Sequence, residues 1–207
     1  MMRSSCTRTF TALYVALCVA GCAEMAYQHM NDPARDAWQK PAAVVEKLAI
    51  KPGSRVADLG AGGGYFTWHL AEAVGPQGTV YAVEIDETAL AMIRKDMTSR
   101  RVTNVVPVRA DARDAKIPEV VDLVFSCDTY HHMDDRVAYF RSLRRYLKPE
   151  AHLAILDFHP HGVFSGLLGH GTEKEVVRQE MESAGYRLLE DFALIESQHF
   201  QVFSGKE

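Results

Sequence analysis

The sequence predicts an α/β protein: a doubly wound, seven-stranded sheet, mainly parallel, with an antiparallel hairpin at its C-terminal edge. Three observations predict it. From residue 55 onward, short apolar strand patterns alternate with helical ones, the pattern of a parallel sheet covered on both faces. A glycine-rich turn, Gly60-Ala61-Gly62-Gly63-Gly64, joins the first strand to the first helix. The last two strand candidates follow one another with no helix between them, as an antiparallel hairpin requires.

Each element has its own signal. Residues 34–49 read as helical, with Pro41 forcing a break or a fresh start. Lys51-Pro52-Gly53 is a turn. Strands are predicted over 55–59, 79–84, 105–109, 121–126 and 152–158, then over 187–195 and 199–203 for the hairpin. Helices are predicted over 65–74, ended by Gly75-Pro76, and over 87–99. A third, 136–147, is stopped by Lys148-Pro149, and a fourth, 173–184, is capped by Thr172 and ended by Gly185. In such sheets ligands bind beyond the carboxyl ends of the strands, where the strand order reverses.

The chain has 207 residues, 47% of them hydrophobic and 24% charged, which fits one globular domain with a short extra segment. The formal net charge of −4 offers no basic field to nucleic acid. Three of the four cysteines, Cys6, Cys18 and Cys22, fall in the first 22 residues, so no disulfide framework and no paired-cysteine metal signature is present. Cys127 is left as a free thiol at a strand end.

The N-terminus reads as a processing signal. Arg3 and Arg8 precede an apolar run, Phe10 to Ala20, too short to span a bilayer as a helix. Val19-Ala20-Gly21-Cys22 then resembles the lipobox of bacterial lipoproteins. That resemblance implies a signal peptide over 1–21, a lipid anchor at Cys22, a tether over 22–33 and a folded domain over 34–207. Ala23 after the cysteine implies the periplasmic face of the outer membrane. The alternatives are the periplasm, if cleavage is ordinary, or the cytoplasm, if the signal is unused. Removing 1–21 takes away two arginines and no acid.

The glycine turn has to be read in context. A dinucleotide fingerprint wants a small residue where Tyr65 stands, and no Lys-Ser or Lys-Thr follows for a Walker loop. Asp58 precedes the turn, with no nearby cation for a pyrophosphate; otherwise it would cap the helix that follows. An acid beside bare glycines suits a ligand that is cationic and carries no phosphate.

VADLGAGGGYF resembles motif I of the class I S-adenosylmethionine-dependent methyltransferases, and other landmarks of that family follow in order. Glu84 ends the second strand, Asp111-Ala112 follows the third, VDLVFSCDTYHHM resembles the fourth-strand motif and YLKPEAHLAILDF the fifth. Arg35 and Trp38-Gln39-Lys40-Pro41 resemble a stretch seen in a group of proteins read as exported methyltransferases. The resemblance spans about residues 34–203 and implies a Rossmann-like fold with S-adenosylmethionine as cofactor. Carried over by position, Asp58, Gly60, Ala61, Gly62 and Gly64 bind the cofactor. Glu84 takes both ribose hydroxyls, with Ile85 beside it, and Asp111 and Ala112 read adenine. Cys127 lies at the methionine end, where many relatives have Asn, and Glu150 stands where many have Gly.

Methyl transfer from a sulfonium needs positioning, and a base only when the acceptor must lose a proton. Candidates after strands four and five are Asp128, Tyr130, His131, His132, Asp157, His159 and His161, with His131 and His132 foremost. No metal is expected, because the mixed His and Asp groups do not match an all-oxygen magnesium site. His29, His69, His152, His170 and His199 read as surface or capping residues. Tyr27 and Trp38 either line a lid over the cofactor or belong to the core. The short glycine-rich stretch 162–171 favours a small-molecule acceptor. The competing readings are a lipoprotein that keeps the fold as a non-catalytic binding module, and a nucleotide-dependent oxidoreductase, which Tyr65 disfavours.

Overall fold

A computed structural model describes residues 25–160 and 171–205. Seven strands form one sheet in the order β3-β2-β1-β4-β5-β7-β6. They are β1 (Arg55–Leu59), β2 (Thr79–Glu84), β3 (Val105–Arg109), β4 (Val121–Cys127), β5 (Leu147–Phe158), β6 (Leu188–Ile195) and β7 (Gln198–Ser204). The first five are mutually parallel, and β7 runs antiparallel to both its neighbours, β5 and β6. The chain goes outward from β1 to β3 and then returns to place β4 on the other side of β1. The crevice of a doubly wound sheet therefore opens at the carboxyl ends of β1 and β4.

The helices are α1 (Asp36–Gln39), α2 (Pro41–Lys47), α3 (Tyr65–Val74), α4 (Glu87–Arg100), α5 (Arg136–Leu143) and α6 (Lys174–Ser183). Strand residues alternate between two cores, as period-two geometry demands. Val80 and Ala82 pack with Phe66, Leu70 and Val44 under α2 and α3. Tyr81 and Val83 share the opposite face with Phe140, Leu143, Val177 and Met181 of α5 and α6. Burial of such side chains, each worth about 1.5–3 kcal/mol, fixes which face of the sheet each helix covers.

Several boundaries differ from the sequence expectation. The helix expected to reach Leu147 ends at Leu143 and passes through a 3₁₀ turn, Arg144–Tyr146. Lys148-Pro149 does not form a turn but lies in β5, which begins at Leu147. Proline is tolerated there because the β4–β5 ladder is irregular between Val121 and Leu123. Thr172 is not a helix cap: α6 starts at Lys174, its N-cap Glu173 makes no side-chain cap bond, and the Thr172 carbonyl accepts from His199 instead. Residues 25–33, expected as the end of a tether, fold back on the domain, with 25–30 helical and the Tyr27 hydroxyl bonded to Asp86. The apolar run, Cys22, His161 and His170 lie outside the described residues. Among the described residues no helix is long and apolar enough to cross a membrane.

Candidate functional site

The glycine turn is held by its own backbone. The amides of Gly60 and Ala61 both donate to the Val83 carbonyl, at 2.8 and 3.1 Å, and Gly64 donates to Ala61. The amide of Gly62 donates to the Glu84 carboxylate at 2.9 Å. Those donors are therefore spent inside the protein and do not form the cradle of amides that a phosphate requires. The glycines have different reasons. Gly60, at φ +76°, has no room for a Cβ, which would fall 2.1 Å from the Thr129 hydroxyl. Gly64, at φ +97°, lies against the Trp68 ring. Gly62, at φ +52°, is open except for the Tyr27 ring 3.9 Å away.

Glu84, buried at the end of β2, clamps two loops together. One carboxylate oxygen accepts from the Ile85 and Asp86 amides at 2.7 and 3.0 Å, and the other accepts from Gly62. An ionised carboxylate offers about four acceptor positions, so one remains on the oxygen bonded to Gly62. Ile85 is exposed beside it. Asp58 is fully buried in β1 and accepts from the Thr67 hydroxyl at 2.6 Å. It does not cap α3, whose N-cap is Gly64. Burial pushes its carboxyl up to about 7, opposed by the Thr67 hydrogen bond and reinforced by Glu84. Asp111 and Ala112 are exposed in a tight turn closed by reciprocal Asp111–Asp114 backbone bonds, and Asp111 pairs with Lys116.

The leading segment lies across these strand ends. Asn31 donates to the Gly63 carbonyl at 2.7 Å, and the Tyr65 hydroxyl donates to Asp36 at 2.6 Å. Arg35 stacks 4.4 Å over the Tyr65 ring and reaches Asp128 at 2.7 Å. The side-chain amide nitrogen of Gln39, fully buried, shares its two hydrogens among Cys127 Sγ at 3.2 Å, Asp128 at 3.1 Å and Gln198 at 3.0 Å. Gln198 closes the ring with a short bond to Asp128. Burial raises the Asp128 carboxyl, with Arg35 pulling the other way, and burial raises the Cys127 thiol well above its usual range. Gln198 carried no signal in the sequence, and Arg35 and Gln39 stood out only as part of a resembling stretch. The Trp38 and Phe158 rings lie 6.0 Å apart at the outer end of the segment.

The candidate bases separate clearly. His131 sits in a 3₁₀ turn after β4, with Nδ1 2.6 Å from Oδ1 of Asp157, which is fully buried at the end of β5. Where Asp157 is a carboxylate it can only accept, which assigns the proton to Nδ1 and leaves Nε2 as the basic nitrogen. His132 is exposed, its ring 4.0 Å from that of His131. Tyr130 is not near this chemistry: it is buried against Phe140 and donates to Glu180. Asp128 is committed to Arg35, and Asp157 to His131. His199 is not a surface residue but 2% exposed on β7, directly opposite Asp157, because β7 is an interior strand. Among the described residues no group of three or more His, Cys, Asp or Glu is placed to hold a metal ion.

Asp58, Glu84, Asp128 and Asp157 thus lie toward the carboxyl ends of β1, β2, β4 and β5, where Arg35 pairs with Asp128 and acts electrostatically on Asp58. An acidic crevice with the amides of Gly60, Ala61, Gly62 and Gly64 spent and one open carboxylate position fits a cationic nucleoside without phosphate, which is what S-adenosylmethionine is.

Comparison with known proteins agrees. The sequence pattern of the methyltransferase domain matches residues 50–195. A ubiquinone/menaquinone biosynthesis C-methyltransferase, UbiE, from Ectopseudomonas mendocina is 33% identical over 123 residues, 57% of this chain and 47% of that protein. A fibrillarin 3 of Arabidopsis thaliana, named for rRNA 2′-O-methylation, is 31% identical over 166 residues, 78% of this chain and 55% of that protein. The chain spans about half the length of these curated relatives. The crystal structure of a SAM-dependent methyltransferase from Aquifex aeolicus superposes with a TM-score of 0.78 at 24% identity, covering 87% of this chain and 97% of that one, and shares the fold. The chain belongs to the methyltransferase-domain family, whose cofactor is S-adenosylmethionine.

Proposed function

We propose that this protein methylates a small-molecule acceptor at a group that must lose a proton, with His131 as the base and Asp157 as the residue that orients it. The observation that carries this reading is the 2.6 Å contact between His131 Nδ1 and Asp157 Oδ1 at the ligand end of the sheet. Asp157 fixes the tautomer and stabilises the imidazolium formed when Nε2 takes the acceptor's proton. S-adenosylmethionine supplies the electrophilic methyl group when bound. Glu84 offers its open oxygen to the ribose, Gly62 leaves room for the nucleoside, and Asp58 supplies negative charge near the methionine end. Asp111 and Ala112 stand at the adenine end, with Asp111 exchanging Lys116 for the base.

A small acceptor fits better than RNA, because the chain is net negative and the crevice is acidic. The lipobox-like Val19-Ala20-Gly21-Cys22 supports an exported protein held at the outer membrane by its lipidated cysteine.

Calorimetric titration of the full chain with S-adenosylmethionine and its demethylated product tests the cofactor site. Glu84→Gln, which keeps an acceptor oxygen, is expected to weaken binding while the chain stays folded. A folded wild-type protein that binds neither ligand overturns the enzyme reading. Mass spectrometry of the N-terminus tests the anchor: an unmodified Cys22 in cells overturns it.

A further inference from the structure

A cavity of about 400 Å³ opens at the carboxyl end of β5, on the side away from the glycine turn. Its walls include Lys40, His159, Lys174, Phe192, Gln198 and His199. Two of these are shared with the site already described. Gln198 donates to Asp128, and His199 pairs across the strands with Asp157, which holds His131. The cavity therefore reaches His199, the cross-strand neighbour of the residue that holds the proposed base, and its volume is that of a small-ligand site.

Its charges are not all satisfied internally. Lys174 is paired with Asp191 at 2.8 Å, and Glu196 is exposed on the lining. Lys40 donates to the Leu194 backbone carbonyl at 3.0 Å, and among the described residues no carboxylate pairs with it. An ammonium has three donors, so two remain for a ligand. Lys40 also holds a left-handed conformation, φ 50° and ψ 54°, between α1 and α2, where glycine would sit without strain.

His199 adds a second requirement. Its Nε2 lies 3.0 Å from the Thr172 carbonyl, which can only accept, so Nε2 carries the proton. Nδ1 is then a bare acceptor, and it has no hydrogen-bond partner although the residue is 2% exposed. Burial lowers the imidazole's affinity for a second proton, opposed by Asp157 and the Thr172 bond. Nδ1 is closed off from solvent, so a donor reaches it only by displacing the cavity wall that His199 forms, and the cost of a buried acceptor left alone favours that contact.

We propose that this cavity is the subsite for the acceptor's anionic group, and that the acceptor is a small organic anion carrying a hydroxyl or amine donor. Lys40 takes the anion, Nδ1 of His199 takes the donor, and Phe192 supplies apolar contact. The proposal rests on the methyltransferase reading above, and its test separates the two.

The test is ¹H–¹⁵N chemical-shift titration of the full chain with 3-hydroxybenzoate, beside its neutral isostere 3-hydroxybenzamide and benzoate, which lacks the donor. The expected result is saturable shifts around Lys40, Phe192 and His199, with 3-hydroxybenzoate tighter than either comparison compound. Lys40→Met is expected to weaken it about tenfold and Lys40→Arg to restore it. Equal binding of benzoate and 3-hydroxybenzoate removes the donor requirement, and equal binding of the amide removes the anion requirement; either overturns the proposal. So do shifts confined to other surfaces. S-adenosylmethionine is titrated into the same samples. Cofactor binding without 3-hydroxybenzoate binding overturns the subsite alone. The reverse overturns the methyltransferase reading, and with it the cavity's role as an acceptor subsite.

Discussion

His131 and Asp157 meet at 2.6 Å, Nδ1 against Oδ1, where the turn after β4 passes over the end of β5. The contact joins an almost fully buried imidazole to a carboxylate with no exposure at all. Asp157→Asn replaces an obligate acceptor by an amide that can also donate, so the tautomer preference should be lost. Imidazole ¹⁵N spectra are expected to show Nδ1–H in the wild type and a mixture in the variant. Turnover on a proton-losing acceptor should fall by about 10²–10⁴-fold in His131→Ala, with S-adenosylmethionine affinity little changed. An unchanged tautomer in Asp157→Asn would remove the orienting role.

The glycines of the turn separate packing from ligand approach. Gly60→Ala drives a Cβ to 2.1 Å from the Thr129 hydroxyl and 2.7 Å from its Cβ, at φ +76°. A loss of about 2–4 kcal/mol in denaturant unfolding is expected. Gly62→Ala meets only the Tyr27 ring at 3.9 Å, so its cost should be the left-handed strain of about 1–2 kcal/mol. The folded Gly62→Ala protein should nonetheless bind S-adenosylmethionine more weakly. Equal stability losses in the two variants would contradict this division.

The sequence carries local information well and long-range pairing poorly, and the residues show why. Tyr65–Val74 and Thr79–Glu84 have the predicted bounds, because Gly64, Gly75-Pro76 and Gly78 punctuate the chain around them. His131 and Asp157 were each legible as residue types at strand ends, but their contact spans 26 positions and depends on β4 lying beside β5. His199 reads as a surface residue because a hairpin sequence does not say which of its strands is inside the sheet; here β7 is, and β6 takes the edge. The ring formed by Arg35, Gln39, Asp128 and Gln198 includes a bond between residues 159 positions apart, Gln39 and Gln198. No periodicity signals that, since neither Arg35 nor Gln39 lies in a helix long enough to show a face.

That ring makes a stability prediction. Arg35 and Asp128 form an ion pair with side chains 14% and 12% exposed. Arg35→Met leaves a buried carboxylate without its cation and should cost about 3–5 kcal/mol. Asp128→Asn in the same background removes the stranded charge, so the double variant should be more stable than Arg35→Met alone. Thermal or denaturant unfolding of the four proteins of this cycle gives the coupling. Additive losses would mean that the pair is not a unit.

Asp58 supplies the pH dependence. Its carboxyl is raised from 3.8 to about 7, first by burial. Between those values the folded protein binds the proton and the unfolded chain does not, so stability is greatest below the window and falls as pH rises through it. The full span is worth roughly 4 kcal/mol at 1.36 kcal/mol per pH unit. Asp58→Asn has no proton to exchange, so the difference between its unfolding free energy and that of the wild type should change with this slope. Cofactor binding has the opposite sign. S-adenosylmethionine is cationic and favours the ionised carboxylate, so its binding should release protons and tighten as pH rises between about 6 and 8. Calorimetry in two buffers of different ionisation enthalpy measures the protons released. A wild-type pH slope that persists in Asp58→Asn would assign the effect to another group, leaving Asp58 as a buried partner of Thr67 with no part in cofactor affinity.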